Sequence, residues 1–255
     1  MSVTELGAPI RVYLPQTSAA AFLGVLFVLG GVALPWYVWH TGGFAEGFEL
    51  RSLLYLFPLV LGLTGLKSAY GNWRKAAVVY QGGLAYSDND GPRSIPWSEL
   101  SAIKSEVIKH YRNGMYVGTT HRHELTARGQ PWLVLTKNDF PDVAELAEQI
   151  GQGIFPQAYR ASRHEWDAVR WLTFGPVSVN KTEGIRVQGE TYAWSALTSL
   201  TVEKGCLHIV PRDPTLWSRM TGKGKIDIAL MPNFPVLMAI VEKAGCVPVS
   251  RPSSR

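Results

Sequence analysis

The heptapeptide WSELSAI at residues 97–103 returns as WSALTSL at residues 194–200. Both copies fit the pattern W-S-x-L-[ST]-x-[IL], and each has a glycine followed by an apolar residue upstream and a Phe-Pro pair downstream. The tryptophan-to-phenylalanine distance is 43 residues in the first copy and 40 in the second. The repeated positions, in chain order, are Gly83, Trp97, Phe140, Gly184, Trp194 and Phe234. This paired signature at matched spacing predicts an internal repeat.

The periodicity within each copy is mostly that of β-strands, followed by one helix. Predicted strands cover residues 76–80, 84–87, 100–112, 115–128 and 132–136 in the first copy, and 177–180, 184–187, 197–203, 206–210 and 226–230 in the second. The Asn-Gly pair at residues 113–114 predicts a tight hairpin. Helical spacing predicts a closing helix at residues 139–150, capped by Asn138 or Asp139, and another at 235–244, capped by Asn233. Residues 157–172 predict a separate linker helix.

The N-terminal part is far more apolar than the rest of the chain. Residues 12–45 contain no Asp, Glu, Lys or Arg, and a second apolar stretch begins at residue 52. A helix of about 20 apolar residues can cross a bilayer, so spans are predicted at about residues 17–40 and 52–71. Alternatives are a cleaved signal peptide and a buried helical hairpin of a soluble protein.

The distribution of basic residues beside the predicted spans favours two cytoplasmic termini. Four basic residues lie on the side of the termini and one lies in the connecting loop; they are Arg11, Lys67, Arg74 and Lys75, against Arg51.

The predicted fold class is α+β, with a two-helix transmembrane hairpin followed by two pleckstrin-homology-like (PH-like) antiparallel β-barrels, each closed by a C-terminal helix. The glycine hairpins and the segment IPWSEL at residues 95–100 resemble PH-like domains of bacterial membrane proteins. With FGPVSV at 174–179 and MPNFPVL at 231–237, the chain resembles an uncharacterised family of actinobacterial type. This resemblance implies a fold and a topology, and no reaction.

These patterns divide the chain into five parts. Residues 1–75 form the N-terminal segment and hairpin, and residues 76–156 the first PH-like domain. Residues 157–173 form the linker helix, residues 174–250 the second PH-like domain, and residues 251–255 a tail. Cys206 and Cys246 belong to no CxxC pair, so two reduced thiols are expected.

Candidate chemistry is sparse. His110, His121 and His123 lie on the two predicted strands around residues 113–114, where three imidazoles can ligate zinc. The alternatives are a solvated basic hairpin and a pH-sensitive contact. The chain contains no G-x-x-x-x-G-K-[ST], G-x-S-x-G or HExxH motif. We therefore expect neither catalysis nor a cofactor.

A second polar feature is the segment from residue 212 to 225, which mixes cations with an aromatic ring. Its residues of interest are Arg212, Trp217, Arg219, Lys223 and Lys225. Such a loop suits contact with an anionic lipid surface or a partner, and the alternative is a solvated connection between strands. The net charge of +5 is too dispersed to indicate nucleic acid.

The sequence thus predicts a non-catalytic binding or scaffold protein, anchored in the plasma membrane by two spans, with both termini cytoplasmic. The alternative is an accessory subunit of a transport or envelope membrane complex. Expected partners are the lipid bilayer, a membrane or cytoplasmic protein, and a second copy of the chain. The sequence identifies neither the ligand nor the oligomeric state.

Overall fold

A computed structural model of the protein describes residues 3–15, 18–40, 57–112, 115–213 and 224–250. Within these ranges the fold is α+β, with four small sheets. Two sheets, β1-β2-β3-β4 and β5-β6-β7, form an N-terminal unit. The other two, β11-β10-β9-β8 and β14-β13-β12-β15, form a C-terminal unit. All pairings are antiparallel except the short parallel pair β12–β15.

The N-terminal unit contains seven strands, of which β5 and β6 are the longest. They are β1 Pro9–Tyr13, β2 Ala76–Tyr80, β3 Gly83–Asp88, β4 Gly91–Pro96, β5 Leu100–Arg112, β6 Met115–Ala127 and β7 Gln130–Thr136. Strand β1 was not predicted from the sequence. It pairs with β2, and Leu6 and Tyr13 beside it are buried. The N-terminal segment is therefore part of this unit.

The C-terminal unit contains eight short strands and one helix. The strands are β8 Leu172–Phe174, β9 Val177–Asn180, β10 Gly184–Val187, β11 Glu190–Tyr192, β12 Leu197–Glu203, β13 Cys206–Pro211, β14 Lys225–Asp227 and β15 Val249–Ser250. Helix α4, the fourth described helix, covers Phe234–Ala244. The strand predicted at residues 226–230 is shorter than expected, since Ile228–Leu230 form a 3-10 turn. Cys206 and Cys246 are free thiols.

The same order of elements occurs in both units. A three-stranded meander leads to a 3-10 turn that starts at Trp97 in one unit and Trp194 in the other. Each indole Nε1 donates a hydrogen bond to a backbone carbonyl of the preceding meander, Gln81 at 3.0 Å and Asn180 at 2.9 Å. Three further strands and a helix follow in each unit. The tryptophan therefore ties its 3-10 turn to the meander in both units.

The glycines of the repeat are required by close backbone approach. A Cβ at Gly83 would collide with the carbonyl oxygen of Ile95, and one at Gly184 would collide with that of Tyr192. Gly184 also has φ +120°, a conformation that L side chains rarely adopt. Both glycines allow the first strand pair of the meander to pack tightly against the third strand.

The prediction of two PH-like barrels is wrong. Among the described residues, no hydrogen bonds join β4 to β5 or β11 to β12, and no sheet closes on itself. The reason is the 3-10 turn at each tryptophan, which redirects the chain before the next strand begins. Each unit instead buries its core between two separate sheets and a helix.

One continuous helix, α3 at Val143–Asp167, replaces the closing helix and linker helix that the sequence predicted separately. Pro156 lies inside it; a proline removes one backbone hydrogen bond and favours a kink. The first turns bury Val143, Leu146, Ile150 and Ile154 in the N-terminal core, whereas Trp166 belongs to the C-terminal core. Helix α3 therefore joins the two cores.

The prediction of a plasma-membrane protein with two spans is also wrong. Helices α1 Ser18–His40 and α2 Phe57–Trp73 pack against each other. Across the described residues, no helix combines the length and the apolar character needed to cross a bilayer. The described part of α2 has 17 residues, including Lys67, and the first predicted residues of this span, 52–56, lie outside the described ranges. At about 1.5 Å per residue the described part is shorter than a hydrocarbon core of ~30 Å.

Candidate functional site

A cleft of about 570 Å³ lies between the two units. It is formed by one sheet and helix of the N-terminal unit and by the segment leading into α4. The lining residues are Ile103, Ser105 and His123 on the strands, Ala144, Ala147, Glu148, Gly151, Gln152 and Phe155 on α3, and Ile228, Met231, Phe234 and Pro235 from the C-terminal unit. Its volume lies within the range typical of sites for small molecules.

The two units are held together at this cleft by Asn233. Its backbone N–H donates to the carbonyl of Ile103 at 3.0 Å, and its side-chain Oδ1 accepts from the Ile103 N–H at 3.1 Å. Its Nδ2 donates to the carbonyl of Ser101 at 2.8 Å. Strand β5 is an edge strand, so its outer backbone groups are available for such pairing. We call these three bonds the Asn233 clamp.

The clamp corrects the sequence prediction for this residue. Asn233 stands at the N-cap of α4, but its side chain makes no capping hydrogen bond. Its φ of +52° is left-handed, which asparagine tolerates better than most residues. The side chain therefore points to the other unit and does not cap its own helix.

His123 is the most buried polar group of the cleft, with 4% of its surface exposed. Its Nδ1 lies 2.9 Å from Ser105 Oγ, and its Nε2 has no hydrogen-bond partner among the described residues. Burial, with a smaller contribution from His121, lowers the pKa of His123 to about 4. The imidazole is thus neutral at physiological pH and presents one unsatisfied nitrogen.

The polarity of the cleft is uneven. Ala147 and Met231 are buried with His123, whereas Ser105, Glu148 and Gln152 are exposed. A second cavity of about 420 Å³ adjoins the cleft and shares Phe155, Phe234 and Pro235 with it. The arrangement is an apolar space with a polar rim and a single polar group at depth.

The Ser105–His123 pair places a hydroxyl 2.9 Å from a ring nitrogen. In the part of the chain that the structure describes, no acidic side chain hydrogen-bonds the imidazole to orient it. Its pKa of about 4 also makes it a weak base at neutral pH. The pair is better suited to binding than to proton transfer.

The three histidines considered as metal ligands are not brought together. His121 and His123 stack with ring centroids 6.2 Å apart. His110 lies opposite Gly118, on the other face of the hairpin, and bonds Thr120 Oγ1 at 2.7 Å. Within the described ranges, no group of three His, Cys, Asp or Glu side chains is placed to hold a metal ion.

The remaining candidate residues, those of the repeat and of the segment from 212 to 225, differ in burial and in distance along the chain from the cleft. Trp97 is buried and Trp194 is half-buried, and Phe140 is fully buried while Phe234 lines the cleft. Neither Arg212 nor Lys225 lines the cleft; they are the described ends of the segment predicted to contact lipid or a partner. Its other members, Trp217, Arg219 and Lys223, lie outside the described residues.

The cleft was not predicted from the sequence, although one difference between the two copies of the repeat lies beside it. The Phe-Pro pair is preceded by Asp139 in one copy and Asn233 in the other. A carboxylate and an amide at matched positions differ in hydrogen-bonding capacity, because only the amide can donate. That difference indicated separate roles, but the partner of Asn233 is about 130 residues away in sequence.

The family of unknown function DUF6585 matches residues 1–246. The chain belongs to the DUF6585 family. The match includes the N-terminal unit, α3, the Asn233 clamp and all of the C-terminal unit except strand β15, so every lining residue of the cleft lies within the DUF6585 region. No curated protein matches the chain.

Proposed function

We propose that this DUF6585 protein is a non-catalytic binding protein that holds a small molecule between its two units. The observation that carries the proposal is the cleft of about 570 Å³ closed by the Asn233 clamp. Largely apolar pockets with a few placed polar groups are the usual form of small-molecule sites. Bacterial origin stays a prediction from the sequence.

The geometry also supports a link between ligand binding and the relative position of the units. Residues of both units line the cleft, and Ile103 belongs both to the lining and to the clamp. A ligand that contacts both units stabilises the clamped arrangement, because binding favours the state that binds it better. Such a protein acts as a scaffold whose shape depends on its ligand.

The test uses the neutral fluorescent dye N-phenyl-1-naphthylamine with the full chain. Gly151 lines the cleft, and a Cβ at this position would meet no atom within 4 Å. Gly151→Trp therefore fills the cleft without displacing backbone. We expect saturable dye binding in the wild type that is reduced at least tenfold in Gly151→Trp.

The matched control is a glycine with equally open surroundings outside the cleft. Gly71 in α2 meets this condition, and Gly71→Trp should leave cleft binding unchanged. Since α1 and α2 also expose apolar side chains, only the dye signal lost in Gly151→Trp counts. Equal binding by wild type and Gly151→Trp would show that the cleft is not a binding site.

A second candidate function is that of an accessory subunit in a larger protein assembly. The observation in its favour is the apolar surface of the α1–α2 pair, where Phe22, Trp36, Phe57 and Trp73 are each more than 60% exposed. Patches of this kind are rare on monomers and mark interaction sites. Light scattering of the full chain and of Phe22→Glu tests it, with loss of an assembly as the expected result.

A further inference from the structure

We propose that the cleft selects an uncharged amphiphile, an apolar body bearing a single hydroxyl, over the carboxylate of the same length. This inference rests on the proposed function and adds the ligand class. The contact that recognises the hydroxyl is Nε2 of His123. The feature that rejects the carboxylate is the absence of a cation among the lining residues that the structure describes.

Nε2 of His123 is a buried nitrogen without a hydrogen-bond partner among the described residues. Buried polar atoms in folded proteins almost always have a hydrogen-bond partner, so an exception calls for an explanation. Here Nδ1 is occupied by Ser105, and Nε2 faces no protein partner in the described part of the chain. His123 lines the cleft, and because less than 1 Å² of Nε2 is exposed, a ligand group bonds this nitrogen once the imidazole or a neighbouring lining side chain shifts.

A hydroxyl is the group that fits either form of the neutral ring. If Ser105 donates to Nδ1, then Nε2 carries the hydrogen and donates; if Nδ1 donates to Ser105, then Nε2 accepts. A hydroxyl has both a donor and acceptor lone pairs, so it satisfies Nε2 in each case. An ether or a thioether would satisfy only the first.

The charges of the cleft exclude an anion. Glu148 is the acidic side chain among the described lining residues, which include no lysine or arginine. A carboxylate moved from water into such a space loses hydration without gaining a counter-charge. Glu148 is exposed, so its own repulsion is screened and smaller than this desolvation effect.

The shape of the cleft favours an elongated apolar body. The adjoining cavity of about 420 Å³ extends the apolar surface past Phe155 and Phe234 to Met238 on α4. A chain of several methylenes gains free energy in proportion to the area that it buries there. The hydroxyl then lies at His123 and the apolar body lies along α3 and α4.

The experiment compares octan-1-ol with octanoate at pH 7.5 as competitors of N-phenyl-1-naphthylamine in the full chain. We expect octan-1-ol to displace the cleft-dependent dye at concentrations at least tenfold below those of octanoate. In His123→Phe the alcohol should lose at least fivefold in affinity, whereas octanoate should change less than twofold. Histidine side-chain ¹⁵N spectra should show a shift of the His123 signal with octan-1-ol.

Removing the negative charge of Glu148 tests whether it contributes to the rejection of the carboxylate. Glu148→Gln should strengthen octanoate binding about twofold to threefold, and Glu145→Gln, one turn earlier on α3 and paired with Arg11, should not. Octanoate binding as tightly as octan-1-ol in the wild type would overturn the inference while leaving the proposed function intact. Absence of any Gly151-dependent dye signal would overturn both. If His123→Phe kept the wild-type ratio of octan-1-ol affinity to octanoate affinity, His123 would not be the residue that recognises the hydroxyl.

Discussion

The two units share one order of elements, yet the residues before their matching Phe-Pro pairs have different hydrogen-bond partners. In the N-terminal unit, Asp139 accepts hydrogen bonds from Thr136 at 2.9 and 2.7 Å and pairs with Lys75 at 2.5 Å, all within that unit. In the C-terminal unit, Asn233 bonds strand β5 of the other unit. Asp139 therefore stabilises its own unit, whereas Asn233 binds the neighbouring unit.

The phenylalanines that follow show the same division. Phe140 is fully buried in its own core and packs edge-on against Tyr86. Phe234 is half-buried and lines the cleft. Repetition of a fold therefore does not repeat a site, because the cleft arises where equivalent residues have different surroundings.

The largest expected difference in the free energy of unfolding is between alanine variants of the two tryptophans. Trp97 is buried in the N-terminal core, so Trp97→Ala should lower the free energy of unfolding by ~3–5 kcal/mol. Trp194 is half-buried, so Trp194→Ala should cost only about 2 kcal/mol. Urea denaturation of the full chain measures both values. Equal losses would mean that the units do not differ as described.

A pH titration tests the burial of His123. The folded-state pKa is lowered from 6.5 to about 4, so the unfolded chain binds more protons between these values. Stability is therefore lost as the pH falls from about 6.5 towards 4, by about 3 kcal/mol in full, at ~1.4 kcal/mol per pKa unit. His123→Phe should flatten this part of the stability profile.

The control for the titration is His110, which lies on the other face of the hairpin and is exposed. Replacing it by Phe should leave the slope between pH 6.5 and 4 as in the wild type. A His123→Phe profile that keeps the wild-type slope would show that another group is responsible.

A smaller effect isolates the Asn233 clamp. Asn233→Ala removes two side-chain hydrogen bonds, each worth about 1 kcal/mol net, and places a residue with a Cβ but no polar group at φ +52°. A left-handed conformation costs such a residue roughly a further 1 kcal/mol. We expect a total loss of about 2–3 kcal/mol and weaker dye binding in the cleft.

Asn233→Gly is the matched control, because it loses the same side-chain bonds but tolerates the backbone conformation. It should cost about 1 kcal/mol less than Asn233→Ala and impair dye binding to the same extent. If Asn233→Ala leaves dye binding unchanged, the clamp does not shape the cleft.

Much of the strand pattern was predictable from the sequence, and the reason is local. The strands predicted on both sides of residues 113–114 match β5 and β6 to within one residue, since turn residues and alternation act over short distances. The repeat was visible because its glycines and tryptophans satisfy local packing in each unit.

The features that the sequence did not predict depend on contacts with residues distant in the chain. Strand β1 exists because β2 offers it an edge, and α3 continues past residue 150 because both cores cover it. The apolar composition of the N-terminal stretches predicts membrane spans, but composition does not give the length of a helix, and the described part of α2 has 17 residues. The depth of His123 follows from α3 and the C-terminal unit, which no periodicity on β6 reveals.

A crystal structure of the full chain grown with octan-1-ol would show directly whether the cleft between the units is the ligand site. We expect the alcohol between the two units, with its hydroxyl oxygen within hydrogen-bonding distance of His123 Nε2 and the Asn233 clamp intact. Units held apart without the bonds from Asn233 to strand β5, or an occupied site elsewhere with this cleft empty, would contradict this expectation.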